Sequence, residues 1–312
     1  MPFIKLFSEL RKTDAAIAGG KGASLGEMTN AGLSVPPGFV VTAQAFDRFL
    51  LETGVAAEVH AELGKVNHDD VASVERASEA LHALITGREM PADLAEEIMA
   101  AHQTLGAEFV AVRSSATAED SSAASWAGEL ESYLNTNRDQ VLANVKRCWA
   151  SLFTPRAIVY RQEKNMKDVH VSVAVVIQKM VQSEVAGITF TVHPVTRDHN
   201  QMIIEACWGL GELIVGGMVT PDGYVIDKRE GTHLDISVSE QEEMLVRGTS
   251  GNQRVAVPAE KKEAQKLNGD QINELAKMCA EIETHYGFPC DIEWGVEAGK
   301  FYIVQSRPIT TL

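Results

Sequence analysis

The sequence has few of the features that mark secreted, zinc-binding or membrane-spanning proteins. Its four cysteines, Cys148, Cys207, Cys279 and Cys290, lie far apart without C-x-x-C spacing. We therefore predict neither a zinc site nor a disulfide framework, and expect reduced, buried thiols. No apolar run reaches about 18 residues, the length that a membrane helix needs. The N-terminus also lacks a basic segment followed by a long apolar stretch, so no signal peptide is expected.

Basic residues are also scarce. The 28 lysines and arginines are outnumbered by 43 acidic residues, which gives a formal net charge of -15 at pH 7. This charge disfavours a nucleic-acid partner. Because neither a signal peptide nor a membrane helix is predicted, we expect a cytoplasmic protein without membrane partners. With 312 residues and 45% hydrophobic content, the chain is long enough to bury a substantial core in two or three lobes.

The chain contains stretches of different periodicity. Apolar residues follow helical spacing in three regions, at residues 42–105, 138–164 and 259–286. A compact strand is predicted at residues 108–112. Short runs rich in β-branched residues indicate a second sheet region, at residues 171–180, 187–192 and 201–206.

Residues 291–308 are predicted to form a β-hairpin. Two alternating runs flank residues 297–299, a three-residue loop in which a glycine is available for the positive-φ position. In this register Val296 lies roughly opposite Lys300. Asp291 then lies opposite Gln305.

The hairpin is predicted to collect polar groups on one face. Side chains two residues apart share a face, which adds Glu293 beside Asp291 and Arg307 beside Gln305. Two carboxylates, an amide oxygen and a guanidinium suit Mg²⁺ and a polyphosphate, because carboxylates bind hard cations and arginine bonds phosphate in a bidentate fork. The alternative is an ordinary solvated hairpin face.

A glycine-rich stretch near the N-terminus surrounds a lysine. Gly20-Lys21-Gly22 is not a Walker A loop, since Ala15 and Gly22 occupy the positions where that loop needs glycine and serine or threonine. Residues 209–211 begin a dinucleotide fingerprint, but Ile214 replaces its third glycine. Lys21 remains a candidate phosphate contact, because glycines leave the nearby backbone unobstructed.

Arg113 is predicted to lie where a strand becomes a loop. Small and hydroxylated residues dominate the following stretch, residues 114–128, which is typical of a mobile lid. A cation beside such donors suits the capture of a triphosphate. The alternative is a structural arginine in a surface loop.

Six short motifs carry a resemblance to a known superfamily. In chain order they are Gly-Gly-Lys21-Gly-Ala-Ser-Leu, Val-Pro-Pro-Gly-Phe39, Arg113-Ser-Ser-Ala-Thr-Ala-Glu-Asp, Trp149-Ala-Ser-Leu-Phe-Thr-Pro-Arg, Trp208-Gly-Leu-Gly-Glu and Gln305-Ser-Arg-Pro. Together they resemble the N-terminal ATP-binding region of the phosphoenolpyruvate synthase, pyruvate phosphate dikinase and rifampicin phosphotransferase superfamily. The resemblance spans practically the whole chain.

The resemblance implies an α+β, ATP-grasp-type fold in which two lobes clamp Mg-ATP. We expect an N-terminal lobe at residues 1–180 with the phosphate-contacting loop and the lid, and a C-terminal lobe at residues 181–312 with the metal-binding hairpin. It also implies roles for individual residues. Lys21, Arg113 and Arg307 would contact phosphates and take part in catalysis, and Gln178 would lie near the adenine. Gly128 would lie on the lid, with Ser132 just beyond it. Glu293 and Gln305 would bind the metal, and the hairpin register adds Asp291 as a third metal-binding residue.

By the same resemblance, the chain is expected to be an ATP-dependent phosphotransferase of the dikinase type. It would pass the β-phosphoryl group to a histidine on a separate domain or subunit by way of pyrophosphoryl transfer, with AMP as the nucleotide product. Neither Thr232-His233-Leu234 nor Thr284-His285-Tyr286 matches the Thr-Ser-His-Ala-like segment that carries the family's phosphohistidine. The alternatives are a non-catalytic ATP-binding regulatory module, a subunit of a phenylphosphate synthase-like enzyme, or a fragment of a longer enzyme.

Overall fold

A computed structural model describes residues 3–117, 120–121, 124–125, 131–164, 171–249 and 251–310. The chain divides into two compact units. Unit 1 comprises residues 1–30 and 37–180, and unit 2 comprises residues 31–36 and 181–312. The predicted lobes assigned residues 31–36 to the first lobe.

Unit 1 contains a mainly antiparallel strand framework. Its described strands are β1 (Ile4–Leu6), β2 (Gly38–Val41), β3 (Val110–Ala116), β4 (Asp120–Ser121), β5 (Ala124–Ser125), β6 (Ser132–Thr136) and β7 (Val173–Lys179). Five of them form an antiparallel sheet in the order β1-β2-β7-β3-β6, and β4 pairs with β5 separately. The prediction that residues 171–180 belong to a second sheet region is therefore wrong. An apolar run identifies a buried strand, but it does not specify the sheet that the strand joins.

Helices pack around this sheet. They are α1 (Ala15–Asn30), α2 (Ala43–Glu52), α3 (Val55–Gly64), α4 (Val71–Gly87), α5 (Ala92–Leu105), α6 (Val141–Ala150) and α7 (Pro155–Glu163). The predicted helical regions at residues 42–105 and 138–164 are confirmed. Trp149 is fully buried at the centre of the core, with its ring centroid 5.5 Å from that of Phe46 and 5.0 Å from that of Phe49.

Helix α1 covers the other face of the five-stranded sheet. A β-carbon at Gly22 would lie 3.0 Å from Val40 Cγ2 and 3.7 Å from Val176 Cγ2. Because alternate residues of a strand point to opposite faces, these valines point away from Val41 and Val175, which belong to the Trp149 core. The sheet therefore lies between α1 and the remaining helices.

Unit 2 is built on a second antiparallel sheet. Its strands are β8 (Val185–Phe190), β9 (Gln201–Trp208), β10 (Asp222–Asp227), β11 (His233–Ser237), β12 (Glu243–Gly248), β13 (Gly251–Ala256), β14 (Cys290–Glu297) and β15 (Lys300–Pro308). Its helices are α8 (Glu212–Val215) and α9 (Gly269–Tyr286). Six strands form the sheet in the order β11-β10-β9-β8-β14-β15, while β12 and β13 form a separate hairpin. Both units thus combine helices with antiparallel sheets, as the predicted α+β class requires.

Helix α9 begins later than predicted. The predicted helical segment was residues 259–286, but α9 starts only at Gly269. Asn268 and Gln271 form a reciprocal capping box, in which each side chain accepts a hydrogen bond from the other residue's backbone N–H. This cap fixes the first turn, and α9 packs its apolar side against β9 and β14.

A buried ion pair joins β10 to the segment before α9. Lys266 Nζ lies 2.8 Å from Asp222 Oδ1, and both side chains are completely buried. Asp222 also accepts hydrogen bonds from the Tyr224 hydroxyl at 2.8 Å, from the Ser239 N–H at 2.9 Å and from the Lys266 N–H at 2.8 Å. The carboxylate is therefore bonded on both oxygens, as a buried charge requires.

The expectation of reduced, buried thiols is confirmed. Cys148, Cys207, Cys279 and Cys290 are buried free thiols. Burial raises the pKa of the Cys207 and Cys279 thiols to about 12, which keeps them protonated at neutral pH. Among the described helices, none has the length and apolar character needed to cross a membrane.

Candidate functional site

The predicted hairpin is present as β14 and β15, but its turn is shorter than predicted. Val296 pairs with Phe301 instead of Lys300. The loop consists of Ala298 and Gly299 alone, with φ of 50° and 73°. Two consecutive positive φ angles characterise the two-residue turn that matches strand twist. The predicted three-residue loop is therefore wrong.

A β-bulge shifts the register by one further residue. Trp294 pairs with Ile303, whereas the adjacent Glu293 pairs with Gln305. Val304 is consequently an extra residue in β15. Such a bulge restores pairing beyond it while moving every later residue by one position.

The two shifts together determine which polar residues face each other. Asp291 lies opposite Arg307, which corrects the predicted pairing of Asp291 with Gln305. Because two one-residue shifts add to an even number, Asp291, Glu293, Gln305 and Arg307 still share one face of the sheet. We call this the front face of unit 2.

Both acidic residues on this face of the hairpin, Asp291 and Glu293, have a bonded partner on the opposite strand. Arg307 Nε donates to Asp291 Oδ2 at 2.9 Å, and Arg307 Nη2 lies 2.7 Å from the same oxygen. Gln305 Nε2 donates to Glu293 Oε1 at 3.0 Å. Asp291 and Gln305 are only 9% and 8% exposed. These partners hold the four side chains in defined orientations without any ligand.

The same face continues across the neighbouring strands as two rows. One row runs through Gly223, Glu205, Ile188, Glu293 and Gln305, and the other through Val225, Ile203, Phe190, Asp291 and Arg307. The rows place polar groups of β9, β14 and β15 next to apolar groups of β8. The hairpin is thus one part of a wider face on which polar and apolar side chains alternate between strands.

Glu205 is a member of this face that sequence reasoning missed. Burial raises the pKa of the Glu205 carboxyl, and the negative charge of Asp291 raises it further. One signal in the sequence could have identified Glu205: it is a single carboxylate inside the apolar run of β9. A charged residue is rarely buried unless it is paired or takes part in binding or catalysis.

The donor atoms of the hairpin fit a hard cation whose remaining coordination positions are filled by phosphate oxygens and waters. Glu293 and Gln305 offer only oxygen donors to a metal, because Gln305 uses its amide nitrogen to bond Glu293. No group of three or more His, Cys, Asp or Glu residues with metal-binding geometry occurs in the described part of the chain. Mg²⁺ suits such a site, since it is usually bound by one or two carboxylates together with phosphate oxygens and waters.

In unit 1, Lys21 lies in a helix, whereas the sequence suggested a loop leading into one. Helix α1 is interrupted at Gly19, whose φ of 66° and ψ of 173° are not helical. The helix restarts immediately after Gly19, so Lys21 occupies the first turn of its longer part. The Lys21 N–H donates to Ser115 Oγ on β3 at 3.1 Å.

The other predicted residues of unit 1 share one sheet face. Arg113 lies directly opposite Ser132 on β6, and Ala111, two residues before Arg113, lies opposite Gln178 on β7. Arg113, Ser132 and Gln178 are therefore on the face that α1 covers. Arg113 lies inside β3, so the prediction that it marks the end of a strand is wrong.

The predicted residues thus fall into two groups, one in each unit. Lys21, Arg113, Ser132 and Gln178 lie on the α1 side of the first sheet, and the four hairpin residues lie on the front face of unit 2. Gly128 lies outside the described residues.

The chain is similar to one protein family and to several individual proteins over nearly its whole length. The sequence profile of the family described as "Pyruvate phosphate dikinase, AMP/ATP-binding domain" matches residues 15–312. The probable phosphoenolpyruvate synthase of Methanocaldococcus jannaschii is 46% identical over 320 residues, covering 100% of this chain and 27% of that protein. The phosphoenolpyruvate synthase of Pyrococcus furiosus is 43% identical over 358 residues, covering 99% of this chain and 44% of that protein. The chain therefore spans less than half the length of these curated relatives.

Proposed function

Because the chain belongs to the pyruvate phosphate dikinase AMP/ATP-binding domain family, we propose that it binds Mg-ATP and transfers a phosphoryl group to a histidine on a separate domain or subunit. The proposal includes an ATP-grasp-type fold with lobes at residues 1–180 and 181–312. From the relatives named phosphoenolpyruvate synthase, we infer that the complete reaction yields phosphoenolpyruvate.

The observation that carries this proposal is the pairing on β14 and β15. Asp291 with Arg307 and Glu293 with Gln305 are adjacent pairs on one face, each bonded within 3.0 Å. One pair presents a guanidinium and the other presents oxygen donors. A polyphosphate with its metal needs these two kinds of group next to each other.

The residues of unit 1 supply the complementary contacts in this proposal. Lys21 and Arg113 bind phosphate oxygens, and Gln178 contacts the adenine. Ser132 lies beside Arg113 on the neighbouring strand. The proposed lid includes Gly128. Because the chain carries a net negative charge, it needs local positive charge to attract ATP. The side chains of Lys21 and Arg113 would supply that charge.

The proposed chemistry consists mainly of positioning and charge neutralisation. A nitrogen of the partner's histidine attacks the β-phosphorus of ATP, the bond from that phosphorus to the oxygen shared with the α-phosphate breaks, and AMP leaves with that oxygen. The histidine thereby receives a pyrophosphoryl group, and transfer of the γ-phosphoryl group to water or phosphate then leaves the β-phosphoryl group on the histidine. Arg307, Lys21 and Arg113 stabilise the negative charge on the phosphate oxygens. Glu293 and Gln305, with Asp291 alongside, would hold Mg²⁺, which would supply further neutralisation of the phosphate charge. The lid excludes water.

Binding is tested first, by thermal unfolding with and without Mg-ATP. At 100 times Kd, ligand binding adds about 2.7 kcal/mol to the free energy of unfolding. We expect Glu293→Ala and Arg307→Ala to reduce the resulting shift in melting temperature. Glu297→Ala and Lys300→Ala are matched controls, because they remove the same charges from the turn end of the same strands. The assignment fails if calorimetric titration detects no nucleotide binding to the wild-type chain.

Transfer is tested by mixing the chain with Mg-ATP and the phosphohistidine domain of a related phosphoenolpyruvate synthase. β-Labelled ATP should label the partner, and acid should remove the label, as expected for a phosphoramidate. Label from γ-labelled ATP alone would indicate simple γ-transfer. Binding without any transfer would favour the alternative, a regulatory nucleotide-binding module.

A further inference from the structure

The restart of helix α1 leaves Lys21 in a turn whose amides need acceptors from elsewhere. The first N–H groups of a helix have no partner within the helix, and a side chain at the N-cap position usually accepts from them. Gly19 and Gly20 precede Lys21 and have no side chain. The helix therefore cannot cap itself with a neighbouring residue's side chain.

Ser115 on β3 supplies the missing acceptor. Its Oγ lies 3.1 Å from the Lys21 nitrogen and 3.5 Å from the Gly22 nitrogen. Ser115 is fully buried, so water does not compete for this hydroxyl. The first turn of the restarted helix is thus capped by a residue 94 positions away in the sequence.

Close contact between the helix start and β3 explains the glycine at position 19. A β-carbon there would lie 2.1 Å from Ser115 Oγ and 2.4 Å from the Ser115 carbonyl oxygen. Gly19 also has a positive φ of 66°. Both the contact and the dihedral angle require glycine. The glycines beside Lys21 therefore let the helix approach the strand.

The same strand carries Arg113, two residues before Ser115 and on the same face. Strand β3 thus carries one proposed phosphate contact directly and holds the backbone of the other. We infer that Ser115 is a positioning residue that fixes Lys21 relative to Arg113 for phosphate binding. This inference rests on the proposed function, because it assumes that Lys21 contacts phosphate.

A double-mutant cycle tests the inference. Ser115→Ala should weaken Mg-ATP binding about fivefold, the effect typical of losing one neutral hydrogen bond. It should leave the affinity for adenosine unchanged, because adenosine has no phosphate. In a Lys21→Ala background, adding Ser115→Ala should cause no further loss. Ser172→Ala is the matched control, since Ser172 is buried and donates to Ala43 and Asp47 on α2. It should lower stability without changing the affinity for Mg-ATP.

The outcomes separate the two proposals. If the wild-type chain does not bind Mg-ATP, both the function and the inference are wrong. If it binds and Lys21→Ala weakens binding, but Ser115→Ala has no effect or an effect fully additive to Lys21→Ala, only the positioning role is wrong. Hydrogen exchange at the Lys21 amide gives a second readout without nucleotide. It should be faster in Ser115→Ala than in the wild type, and equal rates would contradict the proposed contact.

Discussion

Replacing Lys266 with methionine tests the buried ion pair of unit 2. Methionine keeps most of the side-chain volume but removes the charge that neutralises Asp222. The Ser239 carbonyl also loses a hydrogen bond from Lys266 Nζ. The backbone N–H of Lys266, which bonds the other oxygen of Asp222, is retained. The substitution thus removes the charge and the two side-chain hydrogen bonds of Lys266 but keeps its backbone bond to Asp222.

The expected loss follows from the groups that remain. Removing one partner of a buried ion pair costs about 3–5 kcal/mol. Because Asp222 keeps three donors, from Tyr224, Ser239 and the Lys266 backbone, we expect a loss of about 3 kcal/mol, at the lower end of this range. At about 2.1 cal/mol/K per residue, this lowers the melting temperature by about 10 °C if the roughly 140 residues of unit 2 unfold alone. The decrease is about 5 °C if all 312 residues unfold together.

Calorimetry and urea denaturation measure this loss, and the size of the shift also reports whether unit 2 unfolds independently. Lys262→Met is the matched control, because Lys262 pairs with Glu242 on the surface. Because exposed ion pairs contribute little to stability, breaking this pair should change the free energy of unfolding far less than breaking the buried pair. Asp222→Asn combined with Lys266→Met should recover part of the loss, since no charge is then buried. A loss for Lys266→Met no larger than that of the control would refute the reasoning.

Three further predictions concern single residues. Glu205→Gln should raise the melting temperature at about pH 8 and have little effect at about pH 4, because a raised pKa means that ionisation of Glu205 opposes folding as pH rises; equal shifts at both pH values would contradict this. His102→Leu should raise the free energy of unfolding by about 1 kcal/mol at neutral pH, since both His102 ring nitrogens are buried without partners among the described residues. Burial lowers the pKa of His102, so the wild-type protein loses stability as pH falls below about 6.5. The stability gained by His102→Leu should therefore grow towards pH 5 in denaturant titrations, and a gain independent of pH would count against this prediction. Deleting Val304, the bulge residue, should retain Mg-ATP affinity in calorimetric titration, whereas deleting Ser306 should abolish it by moving Arg307 to the buried face; similar losses in both would be inconsistent with the observed register.

The membership of the hairpin group could be predicted from the sequence, but its pairing could not. Alternation alone places Asp291 with Glu293, and Gln305 with Arg307, on common faces. The pairing depends on a turn in which Ala298 adopts a positive φ and on an extra residue in β15, and neither has a sequence signal. Had only the turn differed from the prediction, Gln305 and Arg307 would point to the opposite face. The bulge restores the predicted face.

The unit 1 residues show a different limit. A run of serine and alanine after Arg113 is typical of a loop, yet Ser114 and Ser115 continue β3 and pair with β7. Their hydroxyls are satisfied by Glu131 and by the start of α1, which are distant in sequence. Composition cannot reveal such partners, because they exist only once the sheet has formed. For the same reason, the sequence alone did not indicate that Ser115 positions Lys21.

The six residues that unit 2 takes from the beginning of the chain have a consequence for folding order. Strand β15 is the last strand of its sheet, and its outer side bonds Ser34, which accepts from the Ile303 N–H at 2.8 Å and donates from its hydroxyl to the Phe301 carbonyl at 2.7 Å. An uncovered sheet edge is a template for aggregation. During synthesis the Ser34 hydroxyl has no acceptor on β15 until Phe301, 267 residues later, has been made, so unit 2 cannot finish folding from one continuous stretch of chain. A recombinant piece that begins at residue 181 would leave this edge open, and unit 2 therefore cannot be exchanged between proteins as a simple C-terminal cassette.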